Sequence, residues 1–238
     1  MKKITEAIVL VGGFGTRLQH IVSDVPKPMA PINGTPFLSY TLEKLMAWEI
    51  EHVILSTGHL HEKIEEYYGN QYKNLTITYS HEKEPLGTGG AILFALDKAN
   101  TNNVLVLNGD TLFDIDFASF NTFFQEKNTL LAVALRKVND MSRYGAVLID
   151  KTEKIVDFIE KNEQKNSGFI NGGIYLLNKA LFTQTKMPEK FSFEKDILEK
   201  LYTKINIYGL AFDAYFIDIG TPEDYARAQN EFPILERK

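Results

Sequence analysis

The stretch Val9–Leu18, VLVGGFGTRL, decides the first reading of this 238-residue chain. Apolar Ile8 to Val11 reads as a buried strand. The three glycines that follow within four residues mark a backbone that turns tightly or lets a ligand come close. Arg17 closes the loop. Bare amides beside a guanidinium suit a phosphate.

Outward from this loop, short β-type runs alternate with helical ones. Strands are predicted at Glu6–Val11, His52–Ser56, Thr76–Ser80 and Asn103–Asn108, and helices at Phe37–Trp48, Glu62–Tyr68 and Gly89–Ala99. Such alternation predicts a mostly parallel sheet flanked by helices, with ligands beyond the carboxyl ends of the strands. The second half is richer in strands: Leu131–Lys137, Gly145–Ile149, Ile155–Glu160, Ile174–Leu177, Ile205–Leu210 and Tyr215–Ile219. Helices are expected near Phe193–Tyr202 and Pro222–Phe232. No repeat or linker divides residues 1–238, so one domain is expected.

The composition, 44% hydrophobic and 24% charged, is that of an ordinary globular chain. Without cysteine it has no disulfides or thiolate metal sites. Its net charge of −5 and lack of a Lys/Arg cluster argue against nucleic acid as a partner. No apolar run approaches the ~20 residues of a membrane span. The start MKKITEAIVLVGG imitates a secretion signal, but Glu6 interrupts the apolar run. A cytoplasmic protein without a membrane partner is expected.

Two common phosphate loops do not fit. A dinucleotide fingerprint starting at Gly13 needs glycine where Leu18 stands, and a P-loop needs Gly-Lys-Ser/Thr where Gly15-Thr16-Arg17 stands. The segment GGFGTRL followed by PKPM (Pro26–Met29) instead resembles the sugar-1-phosphate nucleotidyltransferases, from Ile4 to about Phe232. Within them it is most similar to enzymes that transfer a guanylyl group to D-glycero-α-D-manno-heptose 1-phosphate and, more loosely, to mannose 1-phosphate. The resemblance implies an α/β, Rossmann-like mixed sheet, with about 1–115 forming the nucleotide half and about 116–238 a strand-rich sugar-phosphate half. It implies a nucleoside triphosphate and a sugar 1-phosphate as substrates and Mg²⁺ as cofactor. It leaves the exact sugar and a homo-oligomer open.

The chemistry agrees with this resemblance. A sugar-1-phosphate oxygen attacks the α-phosphorus of the triphosphate, and pyrophosphate leaves. A phosphate monoester has its second pKa near ~6, so the nucleophile is already ionised at neutral pH and needs no general base. Positioning and cations carry the work. Leu10, Gly12, Gly13, Gly15 and Thr16 are expected along the triphosphate. Arg17 is expected at its β/γ oxygens and Lys27 at the α-phosphate, the backbone of Lys27 being stiffened by Pro26 and Pro28.

NGDT (Asn108–Thr111) puts Asp110 at the end of an apolar strand, and FIDIGTPEDY (Phe216–Tyr225) does the same with Asp218. A carboxylate there is costly to bury without a partner. In the family the matching aspartates hold the metal. The rival D-x-D pair, Asp114 and Asp116, is the spacing of metal-dependent glycosyltransferases, but Asp116 before Phe117-Ala118-Ser119 reads more simply as a helix N-cap. A non-catalytic binding protein on the same scaffold is a further rival, against which the presence of Arg17, Lys27, Asp110 and Asp218 argues.

EPLGTGGA (Glu84–Ala91) follows Glu82, and in the family this loop carries the base, here with Pro85, Gly87 and Thr88. Guanine offers two donors on its Watson–Crick edge, which a carboxylate matches. Glu82 or Glu84 therefore favours GTP, with Glu82 the closer to strand Thr76–Ser80. FIEKN (Phe158–Asn162) resembles a family motif whose acid and lysine, here Glu160 and Lys161, take sugar hydroxyls and phosphate; Asn162 stands where the family has proline. NGGIY (Asn171–Tyr175) resembles its sugar-binding segment, with Asn171 and Gly172, and Asn108, Gly109 and Gly145 are expected on the same side. SFEKD (Ser192–Asp196) reads mainly as a helix cap, with Glu194 within reach of substrate. His59 and His61 are expected to border a loop.

Overall fold

The computed structural model describes residues 3–13, 15, 22, 24–160 and 166–232. The first half runs β1 (Glu6–Leu10), a 3₁₀ turn at Lys27–Met29, β2 (Pro31–Ile32), β3 (Thr35–Pro36), α1 (Phe37–Ala47), β4 (His52–Thr57), α2 (His61–Tyr68), β5 (Gln71–Tyr72), β6 (Leu75–His81), α3 (Gly87–Leu96) and β7 (Asn103–Asn108). The second half adds β8 (Thr111–Phe113), α4 (Phe117–Lys127), β9 (Leu131–Val138), β10 (Ala146–Ile149), β11 (Ile155–Ile159), β12 (Gly168–Asn178) and α5 (Ala180–Thr185). A π-helical turn at Phe193–Leu198 then runs into α6 (Glu199–Leu201), followed by β13 (Ile207–Phe212), β14 (Phe216–Asp218) and α7 (Pro222–Glu231).

One sheet carries both halves, in the order β11-β10-β12-β7-β1-β4-β6-β5, with β9 beside β12 and β13 beside β9. Strands β7, β1, β4 and β6 are parallel. At β7 the sense reverses: β12 runs antiparallel to it, and β10 antiparallel to β12. The predicted mixed α/β sheet is therefore observed, with a central parallel run from the first half and a further parallel pair, β9 with β13, from the second.

Period-two alternation explains why the central strands are apolar throughout. Ala7 and Val9 of β1 point to one face, where Leu38, Leu42 and Leu45 of α1 and Phe120 of α4 cover them. Ile8 points to the other face, beneath Ile92 and Ala95 of α3 and Phe193 of the π-helical turn. With both faces covered, every inward side chain leaves water. A third cluster packs Ile32, Phe37 and Tyr40 against Ile217, Ile219 and Phe232, which fixes the C-terminal segment beside the β2–β3 hairpin.

The expected elements differ mostly at their ends, whereas β2, β3, β5, β8 and α5 have no counterpart in the expectation. Strand Ile174–Leu177 is the tail of the longer β12, and helix Gly89–Ala99 begins two residues earlier, at Gly87. Helix α4 was implied only by its cap, and Asp116 does accept from the Ser119 amide. Among the described residues no helix is long and apolar enough to cross a membrane.

Candidate active site

The carboxyl ends of the parallel strands open on one crevice. Gly109, just after β7, donates its N–H to Leu10 O at 2.9 Å. A Cβ there would lie 2.5 Å from Leu10 O, so only glycine permits this approach, which carries Asp110 to the glycine loop. Asp218 arrives from the far end of the chain. Strand β14 pairs antiparallel with β8 so that Asp218 stands opposite Thr111, and Ile219 N–H donates to Asp110 O at 3.0 Å. Lys27 begins the 3₁₀ turn, closed by Met29 N–H to Pro26 O at 2.7 Å. Gly15 adopts φ +59° and packs over it, where a Cβ would come within 2.8 Å of Lys27 Cβ.

These segments bring three charges together. Lys27 Nζ lies 2.6 Å from Asp110 Oδ2 and 3.6 Å from Asp218 Oδ1. Burial, and then the charge of Asp110, push the Asp218 carboxyl up from its ordinary value; Lys27 and the Gly220 amide oppose the shift. Lys27, Asp110, Asp218, Gly13 and Gly15 line a cavity of about 280 Å³. Two carboxylates facing one ammonium leave a surplus of negative charge on oxygen donors. That donor set fits a hard divalent cation such as Mg²⁺, which takes one or two carboxylates and completes its shell with phosphates and water. Among the described residues no group of three or more acidic or histidine side chains has the makings of a self-contained metal cage.

Leu10 and Gly13 also border a larger cavity of about 500 Å³, with Gly12, Glu82, Pro85, Gly87 and Thr88. Glu82 is held inside it: Oε2 accepts the Leu86 N–H at 2.9 Å, and Oε1 accepts from Ser56 Oγ at 3.4 Å. Burial pushes its carboxyl up, and those two donors pull it back in part. Glu84 is exposed and outside the cavity wall. Of the two acids, Glu82 lines this cavity and Glu84 does not. His59 and His61 border the loop after β4 as expected; His61 opens α2, and its ring packs on that of His81, centroids 3.7 Å apart, at the wall of the same cavity. Nothing in the H-x-H spacing signals the pairing with His81, which β6 supplies.

The remaining expected residues gather across β7. Asn171 N–H donates to Gly145 O at 2.9 Å, and a Cβ on Gly145 would lie 3.0 Å from Glu160 Oε2. Gly173, beside Gly172, faces the Asn108 side chain. Thus Asn108, Gly145, Glu160, Asn171 and Gly172 share one neighbourhood. Thr16, Arg17 and Lys161 lie outside the described residues. The D-x-D pair does not converge: Asp114 binds Lys44 at 2.5 Å, while Asp116 caps α4. Sequence reasoning passed over Arg143, whose guanidinium holds Asp224 at 2.6 Å near Asp218.

A sheet of this topology, with Lys27, Asp110 and Asp218 gathered in one corner of its strand ends and a larger cavity beside them, is the architecture of a nucleotide-dependent transferase. The nucleotidyl transferase family profile matches residues 6–233, and the chain belongs to that family. It is 49% identical over 226 residues, 95% of this chain and 97% of the other, to a D-glycero-α-D-manno-heptose 1-phosphate guanylyltransferase of Aneurinibacillus thermoaerophilus. A protein of the same name from Campylobacter jejuni is 47% identical over 220 residues, 92% of this chain and 96% of the other. The crystal structure of HddC from Yersinia pseudotuberculosis superposes with a TM-score of 0.86 at 35% identity, covering 97% of this chain and 100% of that one. That protein has also been crystallised with GMP-PN.

Proposed function

We propose that this chain transfers the guanylyl group of GTP to D-glycero-α-D-manno-heptose 1-phosphate, releasing pyrophosphate and forming the GDP-sugar. The observation that carries the reading is the Lys27–Asp110–Asp218 cluster, beside a base-sized cavity carrying a half-buried carboxylate and near a group of polar side chains suited to a sugar. The two heptose guanylyltransferases at nearly half identity over almost the whole chain support the choice of base and sugar.

The sugar-phosphate oxygen attacks the α-phosphorus as the bond to the β-phosphate oxygen breaks, and pyrophosphate carries away the electron pair. The nucleophile is ionised at neutral pH, so the protein has no proton to remove. Its residues bind, orient and neutralise. Gly12, Gly13 and Gly15 bring backbone against the triphosphate, and Lys27 meets the α-phosphate with charge. Asp110 and Asp218 would hold Mg²⁺, which when bound supplies the positive charge that two polyanions and a departing pyrophosphate demand. Glu82 accepts the two N–H groups of the guanine edge. Glu160 and Asn171 orient the sugar. Arg17 at the β/γ oxygens and Lys161 at the sugar phosphate complete the assignment. In this reading about 1–115 serve the nucleotide and about 116–238 the sugar phosphate.

The test is a matrix of four nucleoside triphosphates against heptose, mannose and glucose 1-phosphates, read as pyrophosphate release with Mg²⁺. GTP with the manno-heptose phosphate should give the highest kcat/KM. A preference for UTP, dTTP or CTP overturns the base, and a preference for glucose 1-phosphate overturns the sugar.

A further inference from the structure

A chain of hydrogen bonds away from the phosphate corner joins the two halves of the crevice. Thr88, in the first turn of α3 and in the wall of the base cavity, donates its hydroxyl to Glu194 Oε2 at 2.6 Å. The Thr88 oxygen in turn accepts the Phe193 N–H at 2.9 Å. Glu194 lies in the π-helical turn, and the same Oε2 accepts from Ser192 Oγ at 3.1 Å. Its other oxygen, Oε1, accepts from the Tyr175 hydroxyl at 3.5 Å. That hydroxyl accepts from Asn171 Nδ2 at 2.7 Å, and Asn171 Oδ1 takes the Gly173 N–H at 3.0 Å.

The direction of every donor follows from its chemistry. A carboxylate only accepts and a hydroxyl carries one proton. Tyr175 is fully buried, and burial keeps its phenol neutral far above the ordinary range. Its single proton therefore goes to Glu194, leaving its lone pair for Asn171. Thr88 and Ser192 spend their protons the same way. Donors from both halves converge on one carboxylate, so a rotation of that group acts at both ends. With Nδ2 held by Tyr175 and Oδ1 by Gly173, the Asn171 amide has one settled orientation, in which its second N–H is the donor left over.

We infer that Glu194 is a positioning residue that couples the two substrate sites, so that a nucleotide held against Thr88 orients Asn171 for the sugar and the sugar does the same in return. The inference rests on the proposed assignment of nucleotide to the first half and sugar phosphate to the second. Such coupling is reciprocal between binding equilibria, and couplings of this kind typically amount to about 5–150-fold.

The test is calorimetric binding of α,β-methylene-GTP, whose α–β linkage cannot be cleaved by transfer, to the full chain with Mg²⁺. Titrations are run with and without saturating D-glycero-α-D-manno-heptose 1-phosphate. In the unaltered chain each ligand should tighten the other at least about fivefold. Glu194→Gln introduces an N–H where donors converge, and Tyr175→Phe removes the hydroxyl while keeping the ring against Phe193, centroids 5.0 Å apart. Each variant should bring the synergy to about unity and leave affinity for the nucleotide analogue alone within about threefold, a loss of coupling that a merely structural role does not produce. If Glu194→Gln does not fold, Tyr175→Phe decides. Independent binding in the unaltered chain, or synergy retained in Tyr175→Phe, overturns the coupling. Failure of the proposed function looks different: the unaltered chain then binds one ligand or neither, whereas failure of the coupling leaves both bound and only the synergy missing.

Discussion

Two carboxylates, one at the amino end of β1 and the other beside the carboxyl end of β7, make an instructive pair. Glu6 opens β1, and its side chain is almost fully buried. Burial alone would push its carboxyl up, yet it is held down at about 2, because Asn100 and Thr101 donate backbone N–H groups to it at 2.6–3.0 Å and His52 Nδ1 lies at 2.8 Å. Asp218, the last residue of β14, is pushed the other way by burial and by the charge of Asp110. The fold satisfies Glu6 completely with its own donors. It gives Asp218, and Glu82 in the larger cavity, fewer of them. A carboxylate at ease stabilises the structure, whereas one kept short of partners is available to a ligand.

The largest effect that tests this contrast is catalytic. Asp110→Asn and Asp218→Asn should each lower kcat by at least about a hundredfold, the scale of losing one electrostatic stabiliser. Because the fold disfavours ionised Asp218, its replacement should leave the melting temperature at neutral pH equal or higher. Near-normal turnover of either variant at saturating Mg²⁺ removes both aspartates from the metal role.

At the opposite end the effect is on stability alone. The folded Glu6 value of about 2 lies below the ordinary 4.5, so the ionised group stabilises the fold above about pH 4.5 and that contribution is lost as pH falls through about 2. The difference corresponds to about 3 kcal/mol. Glu6→Gln should therefore lower stability at pH 7 by about that amount in denaturant titrations, with the gap to the unaltered chain closing on acidification toward pH 2. Its KM values should not move. A gap that persists at low pH means that shape, not charge, makes Glu6 important.

The smallest effect concerns Glu82. Adenine presents one donor and one acceptor where guanine presents two donors, so an ionised Glu82 facing adenine meets a lone pair. GTP should exceed ATP in kcat/KM by at least about tenfold, which requires only ~1.4 kcal/mol. Glu82→Gln should shrink that ratio chiefly by weakening GTP, while Glu84→Gln, on an exposed site, should leave it unchanged. Since burial raises the Glu82 carboxyl, its ionised form costs stability as pH rises through that raised value, and the Gln variant should melt no lower than the parent at pH 7. An unchanged GTP-to-ATP ratio in Glu82→Gln moves base recognition elsewhere.

Much of this was legible in the linear chain because its causes are local. Apolar runs such as Val104–Leu107 specify a strand buried on both faces, and the observed β7 has the predicted ends, Asn103 and Asn108. The glycines of the loop after β1, the carboxylate after β7 and the Asp116 cap are likewise short-range features, each set by the conformational needs of a few neighbours. What local pattern cannot express is which distant strand ends meet. Asp218 reaches Asp110 only because β14 takes its register from β8 and from the packing of Ile217 and Ile219 against the β2–β3 hairpin. The donors around Glu6 come from Asn100 and Thr101, so the sequence showed only an acid interrupting an apolar run. Glu194 sits beneath Thr88 and Tyr175 because a π-helical turn packs on α3, a choice made by the shared core. Periodicity, glycines and caps are properties of neighbours along the chain, whereas the charge state and partners of a buried group are decided by everything packed around it.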